Sequence, residues 1–291
     1  MTHTHLFNNP RLQILTGALL VIVSWFFSWQ PELNGESETI RILFFPLWLG
    51  YILVIDYLVW WRKGTSLLRR NWRAFLMLFV LSAPAWWFFE FLNTFTNNWI
   101  YLGKERFTDI EYAVLATVAF STVIPAVFAT AELASTFKWV REWSGGPVIR
   151  PTPRILNMFL ATGIVMLAGI VLLPDNFFPC LWVAPYLILE SINARLGYRS
   201  LFDYTKNGNW KPIVALGVGT LICGFFWELW NYYSYPKWIY HVPFVDFLHI
   251  FEMPILGYGG YIPFGFELFA MYHLVVGLTG YKRLNDYIEI D

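Results

Sequence analysis

Seven carboxyl groups lie within or at the edge of otherwise apolar stretches: Asp56, Glu90, Glu132, Glu190, Glu228, Glu252 and Glu267. An ionisable side chain carried into a bilayer costs about 2.5–3.5 kcal/mol on insertion scales, so each needs a reason to be there. Two of them share a pattern. Glu90 with Asn93 and Glu228 with Asn231 both read Glu-x-x-Asn, and a spacing of three puts the carboxyl and the amide on one helical face. Three kinds of chemistry suit such a face: hydrogen bonding between helices as packing glue, general-acid catalysis by a carboxyl in apolar surroundings, and translocation of protons or ions. Rings crowd both motifs, with Trp86, Trp87, Phe88, Phe89 and Phe91 around one and Phe225, Phe226, Trp227 and Trp230 around the other. Most of these suit lipid contact and core packing. A subset suits a pocket for an apolar, polyene-like ligand, or the stabilisation of a carbocation by ring faces.

His249 and Glu252, also three apart, would supply with Glu90 and Glu228 one nitrogen and three carboxylates, the donor types of an iron or zinc site. Di-iron bundles, however, use Glu-x-x-His twice, and here the order is reversed and occurs once, so no metal and no cofactor is expected. His3 and His5 are tail residues, His241 belongs to a loop, and His273 suits helix packing. Phosphate loops, dinucleotide fingerprints, nucleophile elbows and Cys-x-x-Cys pairs are absent from the sequence.

The elements that position these groups follow from hydropathy. Of 291 residues 57% are apolar and 14% charged, against about 25% charged in a soluble globule. Twenty basic residues balance twenty acidic ones, which leaves no field for a nucleic acid. The bilayer is the expected partner. Cys180 and Cys223 both lie in apolar stretches and suggest neither a disulfide framework nor a thiolate zinc site. Apolar runs at 12–31, 41–61, 74–95, 112–131, 155–174, 176–195 and 212–234 have the length of membrane spans. The eighth is interrupted by Pro254, Gly257, Gly259, Gly260, Pro263 and Gly265, and reads as a short outer or re-entrant piece followed by a span over 262–281.

Arg62, Lys63, Arg69, Arg70 and Arg73 follow the second span, Lys138, Arg141, Arg150 and Arg154 the fourth, and Arg195, Arg199, Lys206 and Lys211 the sixth. The loop after the first span carries Glu32, Glu36 and Glu38. Basic loops face the cytoplasm, which predicts eight spans in the cell membrane with both termini inside. The first run has no cleavage pattern before Gln30 and Pro31 and reads as a retained anchor. In this topology Glu90 and Glu228 fall in the outer half, with Glu252 and His249 near them. Asp56, Glu132, Glu190 and Glu267 fall toward the cytoplasmic half.

The chain also resembles itself. FFPLW from Phe44 returns as FFPCLW from Phe177, and LVID ending in Asp56 as LILE ending in Glu190. The loop GTSLL from Gly64 returns as GYRSLF from Gly197, and FFEFLN at 88–93 as FWELWN at 226–231. Trp99-Ile100-Tyr101 returns as Trp238-Ile239-Tyr240, and Ile124-Pro125 as Ile262-Pro263. The matches keep their order at nearly constant spacing, which predicts two four-span repeats, 1–145 and 146–291, of the same topology in one all-α membrane unit. Repeats of this kind place a site between the halves.

The segment FWELWNYYSYPKWIYHVPFVDFLHIFEMPILGYGGYIPFGFE resembles the integral-membrane lycopene cyclase domain of heterodimeric bacterial and fused fungal carotenoid cyclases, a fold related to membrane prenyltransferases. Trp227-Glu228 stands at that family's Trp-Asp position, and Glu252-Met253-Pro254 at its Glu-x-Pro position. Where the family has paired acids after the proline, this chain has Leu256 and Gly257, and the nearest acid is Glu267. The prenyltransferase Asn-x-x-x-Asp motif is absent from the sequence. The resemblance implies a non-redox cyclase or isomerase that protonates a carbon-carbon double bond of an isoprenoid. Glu228 would be the acid, and Glu90, Glu252 or Glu267 would stabilise the cation. Asn93, Asn231, Trp227, Trp230 and Trp238 are then the candidates to contact the ligand. A transporter working through Asp56 and Glu190, and a lipid- or pigment-binding protein without turnover, are the other readings of the same features.

Overall fold

The computed structural model describes residues 9–30, 42–143, 145–281 and 284–291. The acidic stretch with Glu32, Glu36 and Glu38 and the tail histidines His3 and His5 lie outside the described residues. Helix α1 (Pro10–Ser28) is followed by α2 (Phe44–Lys63), the short α3 (Leu67–Arg70) and α4 (Trp72–Thr96). Strand β1 (Trp99–Leu102) leads to α5 (Asp109–Phe120), α6 (Val123–Ser135) and α7 (Lys138–Arg141). Helix α8 (Pro153–Leu172), α9 (Pro174–Phe177), a 3-10 turn (Phe178–Trp182), α10 (Ala184–Leu196) and α11 (Phe202–Thr205) come next. The chain ends with α12 (Lys211–Tyr232), β2 (Lys237–Tyr240), β3 (His249–Ile250), β4 (Met253–Pro254), a 3-10 turn (Ile255–Gly260) and α13 (Tyr261–Thr279).

Seven stretches are long and apolar enough to cross a membrane, or eight if the bent pair Pro174–Trp182 and Ala184–Leu196 forms one span. Where the sixth run reads as one straight helix, these two pieces meet at 45°. Pro179 and Pro185 lack the amide protons that a continuous helix would use. The fourth run lies in one span, Asp109–Ser135, interrupted at Ser121 and Thr122 between α5 and α6, where Pro125 has no amide proton for the Ser121 carbonyl. The eighth starts as expected, with the 3-10 turn before a helix that begins at Tyr261.

Local sequence sets the helix ends. Asn9 accepts hydrogen bonds from the amides of Arg11 and Leu12 with Pro10 in the first turn, and Thr152 accepts from Ile155 with Pro153 in the same place. Helices α2 and α10 stop at Gly64 and Gly197, both left-handed. Glycine also lets helices touch. A Cβ on Gly17 would lie 3.0 Å from the Gly50 carbonyl oxygen, and one on Gly163 would lie 2.9 Å from the Ala184 carbonyl oxygen. The α1–α2 and α8–α10 crossings are therefore backbone-close. Helix α12 packs against both α6 and α13 and ties the two halves together.

At one end of the bundle the basic loops meet the C-terminal segment, in which Tyr287, Ile288 and Ile290 are buried. Tyr287 donates its hydroxyl to the Leu67 carbonyl at 2.9 Å, and the Glu289 amide donates to Glu132 at 2.8 Å. At the other end β1 and β2 form an antiparallel ribbon, Trp99 facing Tyr240, Ile100 facing Ile239 and Tyr101 facing Trp238.

Candidate functional site

Alternation along a strand puts Trp99 and Tyr101 on one face of the ribbon, and Trp238 and Tyr240 on the same face through their register. Glu90 and Glu228, on the last turns of α4 and α12, receive these side chains. The Glu90 Oε1 accepts from Trp86 Nε1 at 2.8 Å, Trp99 Nε1 at 3.0 Å and Tyr101 OH at 2.5 Å. The Glu228 Oε1 accepts from Tyr240 OH and Tyr261 OH, each at 2.6 Å, and Trp238 Nε1 donates to the Tyr240 oxygen at 2.9 Å. Each carboxyl thus sits in a cradle of phenol and indole donors, and among the described residues no lysine or arginine is bonded to it. Burial first, and then the adjacent Glu90 carboxyl, hold the Tyr101 phenol well above its ordinary pKa. Burial and Glu228 do the same for Tyr240, so both remain donors at neutral pH.

The two asparagines position the ribbon. Asn93 donates to the Trp99 carbonyl at 2.8 Å and accepts from the Asn98 amide at 2.8 Å and the Trp99 amide at 3.3 Å. Asn231 donates to the Trp238 carbonyl at 2.7 Å and accepts from the Trp238 amide at 2.9 Å. Both amides are thereby engaged with backbone just past the helix end. Glu-x-x-Asn is a local device in which the amide holds the strand whose tyrosine reaches back to the carboxyl.

Between the cradles lies a continuous ring cluster. Trp48 of the first half packs on Trp227 at 5.0 Å and on Trp230 at 5.1 Å, while Trp182 of the second half stacks on Phe89 at 5.6 Å and Trp99 at 5.8 Å. Phe264 touches Trp86, Phe89, Trp182 and Trp227, so an unbroken chain of ring contacts joins one cradle to the other. A Cβ on Gly224 would meet the Tyr261 ring at 2.4 Å, and that absence of a side chain lets Tyr261 lie against α12 and reach Glu228. Glu228 is fully buried, and its Oε2 has no hydrogen-bond partner among the described residues. Glu90 is half-buried.

The remaining candidates sit elsewhere. Glu252 is ion-paired with Lys237 at 2.5 Å, and His249 bonds Asp246 at 2.8 Å. Among the described residues no three His, Cys, Asp or Glu side chains gather where a metal ion could be held. Glu267 is one turn beyond Phe264 on α13 and fully buried. Asp56 and Glu190 are caps: Asp56 accepts from the Leu68 amide at 3.0 Å, and Glu190 from the Phe202 amide at 2.9 Å, each at the start of a short helix. Asp56 also accepts from Gln13 and Ser66, both at 2.9 Å, and pairs with Arg69 at 3.4 Å. Glu132 pairs with Arg70.

Tyr101, Tyr240, Tyr261, Trp48, Trp182 and Phe264 are the site residues that carboxyl-centred reading passes over. The recurring Trp-Ile-Tyr held the signal for two of them, because residues two apart in a strand share a face.

Fold and site together define a multi-pass helical protein of membrane-spanning type, with two phenol-cradled carboxyls in an aromatic cluster at one end. A scan of protein-family models and searches of curated proteins and of solved structures found nothing that matches the chain.

Proposed function

We propose that this is a cell-membrane enzyme of two parallel four-span repeats, both termini cytoplasmic, that isomerises or cyclises an isoprenoid by proton transfer from Glu228. The observation that carries the chemistry is the Glu228 carboxyl: buried, gripped on one oxygen by two phenols, its other oxygen unpartnered among the described residues, with Tyr261, one of those phenols, stacked on Trp227. In this reaction the O–H of Glu228 adds its proton to one carbon of a double bond. A second double bond of the same chain attacks the resulting cation and forms a carbon-carbon bond. A proton then leaves the carbon next to the new cation and returns to the carboxylate. Ring faces stabilise the cation without offering a nucleophile that would trap it. The balance is an isomerisation and needs no redox partner.

Several features support the repeat. The ribbon pairs Ile100 with Ile239, the middle residues of the two Trp-Ile-Tyr copies. The Trp48–Trp227 and Trp182–Phe89 contacts exchange the halves, as do the Gly17–Gly50 and Gly163–Ala184 crossings. Basic loops gathered at the end opposite the ribbon support the orientation. The resemblance of the Trp227–Glu267 region to the lycopene cyclase domain supports an isoprenoid as substrate class. Asp56 and Glu190, which motivated transport, are engaged as caps, and nothing among the described residues favours that reading over chemistry.

The test is a mass spectrum of the apolar molecules retained by protein purified in mild detergent, against a mock membrane preparation. An isoprenoid enriched with the wild-type protein supports the proposal; retention of bulk phospholipid alone counts against it.

A further inference from the structure

Two stretches of nearly equal length lead from the Trp-Ile-Tyr strands to Ile124-Pro125 and to Ile262-Pro263, and they fold differently. The first forms α5, opened by a capping box of Thr108 and Glu111. In the second, Pro243, Pro254, Gly257, Gly259 and Gly260 exclude a helix, and the chain makes the β3–β4 hairpin and a 3-10 turn instead. Phe244, Leu248 and Phe251 have φ of 65°, 51° and 59°, a left-handed conformation that bulky residues avoid. Phe244 and Leu248 are 78% and 72% exposed, and Phe247, Ile250 and Leu256 are exposed with them. The matching stretch of the first half exposes Lys104, Glu105 and Arg106 in its loop, and exposed apolar residues such as Ile110 and Val114 are on a regular helix.

The underside of this apolar segment is fastened next to Glu228. Phe251 packs on Phe225 and Tyr232 of α12, each at 5.6 Å, Tyr258 packs on Tyr261 at 5.9 Å, and Lys237 pairs with Glu252 across the base. Tyr261, which donates to Glu228, is the first residue after the segment. Exposed rings on a surface continuous with membrane-spanning helices are matched by acyl chains rather than by water.

We propose that residues 242–260 lie in the bilayer interface with Phe244 and Leu248 inserted among the lipids, and that this segment is the port through which an apolar chain passes from the bilayer to Glu228, latched by the Lys237–Glu252 ion pair. The port rests on the reading of Glu228 as the working carboxyl; the insertion does not. The other half has α5 and a charged loop at this place, so the port serves one carboxyl and not its counterpart.

Insertion is tested by nitroxides at Phe244→Cys, Leu248→Cys and, as the reference, Glu105→Cys, each in a Cys180→Ser background in phospholipid vesicles. The first two should collide several-fold more with oxygen than with a nickel chelate when compared with the reference. Collision ratios equal to the reference would overturn insertion. The port is tested with a long-chain fatty acid carrying a diazirine, adducts being located by mass spectrometry. A reducible bis-thiosulfonate bridge between Lys237→Cys and Glu252→Cys should lower adducts at Tyr258 and Tyr261 about tenfold, reductant should restore them, and those at Phe244 should stay constant. Adducts at Tyr261 that are absent in both states, or that are indifferent to the bridge, would overturn it. Neither readout requires turnover, so this proposal and the catalytic one fail separately.

Discussion

At the basic end of the bundle Asp56 and Glu132 meet backbone amides and arginines and Glu190 a backbone amide; at the ribbon end Glu90 and Glu228 meet phenols and indoles. Sequence makes these five look alike, as carboxyls in apolar runs. Their partners separate them by task. A carboxylate fixed by a guanidinium and an amide is spent on structure, because moving its proton would break the contact that holds two elements together. A carboxyl held by neutral O–H and N–H donors keeps its grip in either protonation state, since the donors keep their protons. Burial beside an arginine accounts for Asp56 and Glu132 as structure, and under the proposed reaction burial among phenols and rings leaves Glu228 available for chemistry.

The basic-end carboxyls should prove indispensable to the fold. Arg70→Ala strands Glu132 and frees Glu289, and should cost about 3–5 kcal/mol in unfolding followed in detergent; a loss under about 1 kcal/mol would equate the two ends. Asp56→Ala removes acceptors from Leu68, Ser66 and Gln13 together and should cost about 2–3 kcal/mol, whereas Glu190→Gln, with one such bond, should cost about 1 kcal/mol by the same assay. Asn231→Ala should cost about 1–2 kcal/mol and speed hydrogen exchange at Trp238–Tyr240, with Asn93→Ala doing the same at β1. Unchanged exchange would detach the asparagines from the ribbon.

The smallest effect is expected at the phenols. Tyr240→Phe should cost about 1 kcal/mol or less. Because folding raises the pKa of Tyr101 and Tyr240, their contribution is complete below the ordinary phenol value of about 10 and is lost as pH rises past it. Thermal stability should therefore stay level with respect to these groups up to that pH and fall above it, with tyrosinate absorbance at these two positions appearing late. Early ionisation of either would remove it from the cradle.

Spans and intramembrane carboxyls are legible in the sequence because hydropathy and charge act locally. The break at Ser121 is marked by Pro125, which has no amide proton for the Ser121 carbonyl four residues back; the part not legible is Ser82, which donates to the Phe120 carbonyl and accepts from the Ile124 amide. The work of Asn93 and Asn231 is hidden because their partners lie past a helix end, in backbone whose course depends on the ribbon. The capping by Asp56 and Glu190 is hidden for the same reason: the amides they hold belong to short helices too brief to carry a periodicity. Tyr261 reaches Glu228 only because α12 has Gly224 where a side chain would stand, a tertiary fact with no local signature.

The most direct test is transfer of solvent deuterium. Vesicles containing the protein are incubated in heavy water with the isoprenoid fraction of the source membrane, and the lipids are read by mass spectrometry. An isoprenoid should acquire deuterium with the wild-type protein and with Glu190→Gln, and not with Glu228→Gln. No deuterated isoprenoid with the wild-type protein, or undiminished labelling by Glu228→Gln, would contradict proton transfer from Glu228.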